Sequence, residues 1–267
     1  MAFCSHRIFA ALRCRLPKCL GIRTPGLVVA LALAPMAIAD PYLQPSDQLL
    51  RHDVQLLSDT GVIRTPVTSW PLSLGDIGRQ LPPKRDDASY PRYVQAAIQR
   101  LRGYSDARST EYKPQWSGRL SAQTEERRLR GFGELARENV ELEARMRTTG
   151  SDWAVGLNLQ VVDAEYDDQR LRADGSFIAY GVGNWMLSLD TLERWWGPGW
   201  GGSLILGTSA RPTPGISVQR NRSIPFENRF LNWLGPWSLV ARFGQLEDDR
   251  AIPGALLFSS RFGFRPH

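Results

Sequence analysis

The feature that most constrains this fold is a strict alternation of apolar and polar residues, which begins near Gln115 and recurs through to residue 265. Successive side chains of a β-strand point to opposite faces, so a period of two predicts strands with one apolar and one polar face. In residues 140–147 every polar position is charged. These positions are Glu141, Glu143, Arg145 and Arg147. The same alternation predicts strands in residues 116–123, 153–161, 237–244 and 258–265.

Three details favour a transmembrane barrel over a water-soluble β-sandwich. The alternating segments run to about ten residues, the length that a tilted strand needs to cross hydrocarbon. A polar face with both signs of charge suits a water-filled lumen. Trp116, Trp153 and Trp237 stand at segment ends, where an interfacial aromatic girdle would lie. Because a sandwich usually has shorter strands, we predict a mainly β fold, an antiparallel transmembrane β-barrel over residues 113–267.

Residues 176–190 bear on which way the next turn of the chain faces. The small and apolar residues from Phe177 to Leu189 share one parity. A two-residue hairpin would reverse that phase, so we predict one long strand with a glycine bend, although a three-residue turn near residues 181–183 would also preserve it. Bacterial barrels usually start in the periplasm. One long strand then places the Trp195–Trp200 turn at the periplasmic end, and two strands would place it outside.

Residues 40–112 show helical periodicity instead of alternation. An N-cap signal at Asp47 precedes apolar residues at roughly helical spacing, and Gly61 stops that pattern. Further short helices are predicted after Leu72 and after Pro91. About seventy residues of short helices are too few to bury a sizeable core alone. We therefore predict a small helical periplasmic segment, residues 40–112, that packs on something larger.

The first 39 residues have the layout of a secretory signal peptide. A basic region without acids precedes the apolar run at residues 27–34, and an A-x-A site predicts cleavage between Ala39 and Asp40. Removing this segment takes away five of the 33 basic residues and no acidic ones, leaving 28 against 27. The near balance argues against nucleic-acid binding. All three cysteines also fall in this segment, so the mature chain has no disulfide framework or thiolate metal site.

The mature chain offers little for catalysis, and we predict that it is not an enzyme. Its only histidines are His52 in the helical segment and His267 at the last position, and no metalloprotease, nucleophile-elbow or P-loop motif is present. The acids of residues 163–168 match no defined Ca²⁺ loop, so a solvated turn is the preferred interpretation. We expect no metal and no cofactor.

The stretch from Glu193 to Arg220 combines three tryptophans with a Gly-Pro-Gly turn. Aromatic rings can stack on the C–H faces of sugars, so this stretch is a candidate polysaccharide site. Its candidate residues are Arg194, Trp195, Trp196, Trp200 and Arg211. The alternative is that the tryptophans anchor the membrane interface or dock the N-terminal helices. For the charges of residues 141–147, lumen-facing structural ion pairs are preferred over ligand contacts.

Several motifs, taken in order, resemble those of the Wzi family of outer-membrane capsule assembly proteins. They are Leu50–Leu57, Gly61–Ile63, Thr68–Leu72, Asn184–Trp185, Arg194–Trp200, Leu204–Leu206 and Ala210–Pro214. The resemblance implies an outer-membrane β-barrel with a small helical periplasmic segment. It also implies a lectin-like role in attaching capsular or extracellular polysaccharide at the cell surface.

Family members extend well beyond the point at which this sequence stops, so we expect a C-terminally truncated product with an incomplete barrel. The sequence ends without the terminal aromatic residue that the barrel-assembly machinery commonly favours. The expected partners are polysaccharide, outer-membrane lipid and that machinery, and the expected state is a monomer. A porin-like channel for small solutes, motivated by the charged lumen, is the alternative function.

Overall fold

The computed structural model describes residues 41–108, 112–124, 129–133, 136–163, 169–247 and 252–266. The predicted signal peptide, its cleavage point at Ala39 and Asp40, and His267 lie outside these ranges, as do most of the acids of residues 163–168. Within the described residues, the N-terminal part is mainly helical and the remainder forms one antiparallel sheet. None of the helices in these ranges has the length and apolar content needed to span a bilayer.

The N-terminal part consists of three helices and three very short strands. Helix α1 begins after Asp47, whose carboxylate accepts a 3.0 Å hydrogen bond from the Leu50 amide, as the N-cap signal predicts. In chain order the elements are β1 (Tyr42–Leu43), α1 (Gln48–Asp59), β2 (Ser69–Trp70), β3 (Leu72–Ser73), α2 (Leu74–Gln80), a 3₁₀ turn (Lys84–Ser89) and α3 (Arg92–Arg108).

The rest of the chain forms nine antiparallel strands of one sheet and one short strand outside it. The sheet strands are β4 (Gln115–Ala122), β5 (Val140–Thr149), β6 (Trp153–Val162), β7 (Leu171–Arg172), β8 (Phe177–Val182), β9 (Trp185–Asp190), β11 (Gly215–Arg220), β12 (Trp237–Gln245) and β13 (Leu256–Phe264). The short strand is β10 (Trp195–Trp196), which pairs with β2. The sheet order is β13-β12-β11-β9-β8-β6-β5-β4, with β7 also beside β6. Its described strands leave β4 and β13 as open edges, so the barrel is not closed.

The prediction of one long strand over residues 176–190 is wrong. Strands β8 and β9 form a hairpin in which Val182 pairs with Trp185, so Gly183 and Asn184 make a two-residue turn. Gly183 has a φ of +57°, which suits such a turn. The prediction assumed that all the small and apolar residues of this segment lie on one face, but the inner face is not uniformly polar. Phe177 lies on that face, where Tyr42 packs edge-on against it with ring centroids 5.3 Å apart.

The hairpin changes where the next connection lies. The sheet has one end where β4 begins and an opposite end, here called the loop end, which carries the connections 123–139, 163–176, 191–214 and 246–255. The Trp195–Trp200 turn therefore leaves from the loop end, whereas one long strand would have placed it at the β4 start. It still contacts the N-terminal part, because residues 191–214 fold back over the inner face of the sheet.

The two faces of the sheet differ sharply in exposure and polarity. The outer face is apolar and exposed on every long strand. Its members include Leu120, Leu142, Leu159, Ile178, Leu189, Ile216, Phe243 and Phe258. The inner face carries the charged and small polar residues and is covered by the N-terminal part. The predicted alternation therefore appears as exposed apolar and buried polar positions, the reverse of a water-soluble sheet.

The N-terminal part is fixed to the inner face by an apolar core and by polar ties. The core joins the three helices to Trp70, Phe132 and Trp195. Arg265 donates hydrogen bonds to the Ser58 hydroxyl, at 2.7 Å, and to the Ile63 carbonyl, at 3.1 Å. The helical segment thus obtains from the sheet the core that it is too small to build by itself.

Candidate functional site

The loop of residues 191–214 is held over the inner face by backbone pairing. Strand β10 pairs antiparallel with β2, with Trp195 opposite Trp70. The amide of Gly197 donates to the Thr68 carbonyl at 3.0 Å, and the amide of Trp196 donates to the Leu206 carbonyl at 2.9 Å. These bonds fix a stretch rich in glycine and proline whose one regular element is the two-residue strand β10.

The three tryptophans of this loop do not share one environment. Trp195 and Trp196 are 1% and 0% exposed, whereas Trp200 is 43% exposed. Trp195 packs edge-on against Phe132, with ring centroids 5.8 Å apart. A fully covered indole offers no face to a sugar, so Trp195 and Trp196 do not form a stacking platform in this arrangement. They dock the N-terminal part, and Trp200 alone keeps an accessible ring.

Arg51 on α1 joins the helical part to the tryptophan turn. Its Nη2 donates to the carbonyls of Pro198 and Gly199, at 2.8 Å each. Its guanidinium carbon lies 4.2 Å from the ring centre of Phe132 and 4.4 Å from that of Trp200, within the range of a cation–π interaction. Burial lowers the pKa of Arg51 from its ordinary value. Sequence reasoning gave Arg51 no role, because nothing local to α1 indicates a partner so far along the chain.

Beside this turn lies a cavity of about 510 Å³ at the loop end of the inner face. Its walls come from the 191–214 loop, from residues 129–130, and from β12, β13 and the connection between them. Of the predicted polysaccharide-binding residues, Arg194, Trp195 and Arg211 line it, whereas Trp196 and Trp200 do not. The structure therefore brings part of the predicted set into one concave site, with arginine as its most frequent charged residue.

Two of these arginines form two-bond ion pairs. Arg194 Nη2 lies 2.9 Å and 3.1 Å from the two carboxylate oxygens of Asp190 and donates to the Ser217 hydroxyl at 2.9 Å. Arg211 donates through Nε and Nη2 to the two oxygens of Asp174, at 3.0 Å and 3.2 Å. The Arg211 pair uses two nitrogens, a geometry that fixes the guanidinium plane as well as the charge. The Arg194 pair uses one nitrogen, and Arg194 Nη1 also donates to the Leu192 carbonyl at 2.9 Å. Both side chains are thus held in place before any ligand arrives.

Glu193 ties together two further arginines at the mouth of the loop. Its Oε1 accepts from Arg130 Nη1 at 2.9 Å and lies 3.5 Å from Arg137 Nη2. Arg137 also donates to the carbonyls of Ser209 and Thr208, at 2.6 Å and 3.0 Å. Burial lowers the pKa of Arg137 from its ordinary value. The 129–137 and 191–214 connections are therefore joined by charge-assisted hydrogen bonds.

Arg242 on β12 is one of two lining arginines, with Arg130, that the sequence did not predict. Its Nη1 donates to the Thr213 hydroxyl at 2.7 Å, and its Nη2 donates to the Thr213 carbonyl. Within the described ranges no carboxylate forms an ion pair with it, although it is only 4% exposed. The alternation in residues 237–244 places Arg242 on the inner face. It does not tell which of the charged residues on that face line the cavity.

The predicted lumen charges lie on the inner face but outside the cavity. Glu143 is 2% exposed; it forms a 2.5 Å ion pair with Arg119 and a second pair with Arg145. Glu141 accepts hydrogen bonds from the amides of residues 137 and 138, at 2.6 Å and 2.9 Å. These contacts join Glu141 and Glu143 to other residues of the protein, and a structural role for this group stays a prediction. Arg147 lies on the same face of β5. His52 stands apart, exposed on α1, 3.8 Å from Asp53.

The comparisons with known proteins identify the family. The family model described as capsule assembly protein Wzi matches residues 108–267. The chain belongs to the Wzi family. It is 32% identical over 256 residues to a 55.8 kDa protein in the cps region of Klebsiella pneumoniae, covering 93% of this chain and 49% of that one.

A solved structure is similar as well. It is that of Wzi of Escherichia coli, an outer-membrane protein involved in group 1 capsule assembly and a carbohydrate-binding β-barrel. The match has a TM-score of 0.68 and 30% identity, and it covers 84% of this chain and 50% of that chain. The chain thus spans about half the length of each of these two relatives. The predicted family and the predicted fold class, a mainly antiparallel β structure with a small helical N-terminal part, are both confirmed.

Proposed function

We propose that this protein is an outer-membrane, lectin-like protein that helps attach or assemble capsular or extracellular polysaccharide at the cell surface. Its membership of the Wzi family and its similarity to a carbohydrate-binding barrel support this proposal. The observation that carries it is the preformed cavity at the loop end, with Arg194 and Arg211 already held by ion pairs. Preformed polar groups in a concave site reduce the ordering cost of binding.

The outer face of the sheet supports a membrane location. A surface that is apolar and exposed across eight neighbouring strands would be unfavourable in water and suits lipid hydrocarbon. Trp116, Trp153 and Trp237 stand near the end where β4 begins, as an interfacial girdle would. We infer export by the signal peptide of residues 1–39, insertion by the barrel-assembly machinery, and function as a monomer.

The orientation that fits this function places the loop end outside the cell. With β4 starting in the periplasm, the 191–214 loop and the cavity would face the surface polysaccharide. The N-terminal helices would then occupy the lumen and its periplasmic side.

A porin-like channel fits the geometry less well. The N-terminal part packs an apolar core against the inner face, where a channel would need open water-filled space. A catalytic role also lacks support, because His52, the one histidine among the described residues, is exposed on α1 away from the cavity. We therefore infer a binding function without catalysis.

Deletion of the gene tests the proposal in the cell. We expect the mutant to release polysaccharide into the medium while its total synthesis stays unchanged, and a plasmid copy should restore attachment. Polysaccharide that stays fully cell-attached in the mutant would contradict the proposal. Conductance of the purified protein in planar bilayers, without polysaccharide binding, would instead favour the channel.

A further inference from the structure

We propose that the loop-end cavity is an anion site for a carboxylate-bearing sugar, with Arg242 as its principal contact and Arg194 beside it. This inference rests on the proposed function and adds to it the chemical class of glycan and the residues that select it.

Among the described residues that line the cavity, arginines outnumber carboxylates. Four arginines line it: Arg130, Arg194, Arg211 and Arg242. The carboxylates paired with them in the described chain are Glu193, Asp190 and Asp174. Glu193 is also shared with Arg137, so among the described residues these three carboxylates pair with four guanidinium groups, and Arg242 pairs with none of the three. The excess of positive charge lies in a recess with partly apolar walls, where an anion is attracted more strongly than in open water.

Arg242 is the centre of this excess. A guanidinium that is 4% exposed without a carboxylate partner in the described ranges is unfavourable unless something else compensates its charge. Its contacts with Thr213 use Nη1 and Nη2. The Nε atoms of Arg242 and of Arg194 are buried and have no hydrogen-bond partner among the described residues. Both arginines line the cavity, and each thus keeps a buried donor that no described residue satisfies.

The remaining walls favour a sugar over a small inorganic anion. The volume of about 510 Å³ lies within the range of sites for small organic ligands. Leu192, Ile205 and Leu257 contribute apolar surface that suits the C–H faces of a pyranose ring. A ring carrying one carboxylate would match both the apolar walls and the unbalanced charge.

The test compares one polymer in two charge states. The full chain, folded in detergent, is titrated at about 0.15 M salt with a soluble polysaccharide whose only charged group is a uronate. The same polymer is then used after its carboxyl groups have been reduced to primary alcohols. We expect reduction to weaken binding roughly ten- to a hundredfold, the range for loss of hydrogen bonds to a charged group. Free glucuronic acid should compete with the polymer, and glucose should not.

Two variants locate the effect. Arg242→Gln removes the charge at the proposed contact and should abolish the preference for the acidic polymer. Arg261→Gln is the matched control, since Arg261 is another inner-face arginine that contacts Thr68 and does not line the cavity. If Arg242→Gln does not fold, Arg242→Lys replaces it as the test of the site. The comparison of the two polymers on the unaltered protein still tests the chemical class of the sugar.

The outcomes are distinct. Equal binding of acidic and reduced polymer would overturn this inference and leave the proposed function in place. Binding of neither polymer would overturn the proposed function, and the inference with it. A preference for the acidic polymer that survives in Arg242→Gln would refute the assignment to this cavity, whereas its loss there and not in Arg261→Gln would support it.

Discussion

Two neighbouring residues of β5 summarise the contrast between the faces of the sheet. Leu142 is 55% exposed and Glu143 is 2% exposed. In a water-soluble protein this order would be destabilising at both positions, because an apolar side chain would meet water and a carboxylate would lose it. Here the outer face suits hydrocarbon, and the inner carboxylate is compensated by two arginines. The contrast teaches that the solvent outside the sheet, and not polarity alone, decides which residues are buried.

The strongest way to break this contrast is to remove charge from the inner face. Glu143→Gln leaves Arg119 and Arg145 without their shared carboxylate. Removing one partner of a buried ion pair typically costs about 3–5 kcal/mol, and we expect a loss of that size in the free energy of unfolding. Urea titration of the protein folded in lipid vesicles measures it. The same change at exposed Glu227, in the 221–236 connection, is the control, and equal losses at both sites would contradict the prediction.

Adding charge to the outer face should have the next largest effect. Leu159→Arg puts a cation near the middle of β6 on the exposed apolar face. If that face meets hydrocarbon, the expected cost is about 2–4 kcal/mol, and the folded fraction in vesicles should fall. In a water-soluble sheet this surface change would be nearly neutral, so an unchanged folded fraction would argue against membrane insertion. Leu159→Phe, which keeps the surface apolar, should fold normally.

A smaller effect is expected where the inner face meets the helical part. Arg51→Ala removes two hydrogen bonds and the cation–π contacts with Phe132 and Trp200. We expect a loss of about 2 kcal/mol in the free energy of unfolding. The stability of Arg51→Lys should lie between that of the unaltered protein and that of Arg51→Ala, because an ammonium group keeps the charge but has no planar group to stack on the rings. His52→Ala, next to it and exposed, should change little; an equal loss there would point to a general helix effect.

The smallest effect concerns a water-facing ion pair. The hydrogen bond from Arg102 lowers the pKa of Asp87 below its ordinary value. A carboxylate with a depressed folded pKa contributes stability above its ordinary pKa, and that contribution is lost as pH falls below about 4. Asp87→Asn should therefore lower stability slightly at pH 7 and make no difference near pH 2. Unfolding midpoints at the two pH values measure this, with Asp86→Asn as the control. A deficit that persists at low pH would contradict the linkage.

The sequence predicted the sheet well because alternation reports directly on which face each residue takes. It failed at Gly183 and Asn184 because parity assumes a polar inner face, and Phe177 is apolar there on account of Tyr42, far away in the chain. The sequence left open whether Trp195 and Trp196 bind sugar or dock the N-terminal helices, because their burial depends on pairing with β2. Arg194 and Arg211 were predicted from their place beside the tryptophans, whereas Arg242 comes from a strand with no such local signal.

The pairing of β2 with β10 has a consequence for the order of assembly. It joins Ser69 and Trp70 to residues more than a hundred positions later, so forming it costs the entropy of closing a long loop. We therefore expect the loop that walls the cavity to take its final shape late in folding. In a barrel whose N-terminal helices have not yet docked, the cavity would not have its final shape. The ability to bind the ligand would then mark a completely folded protein.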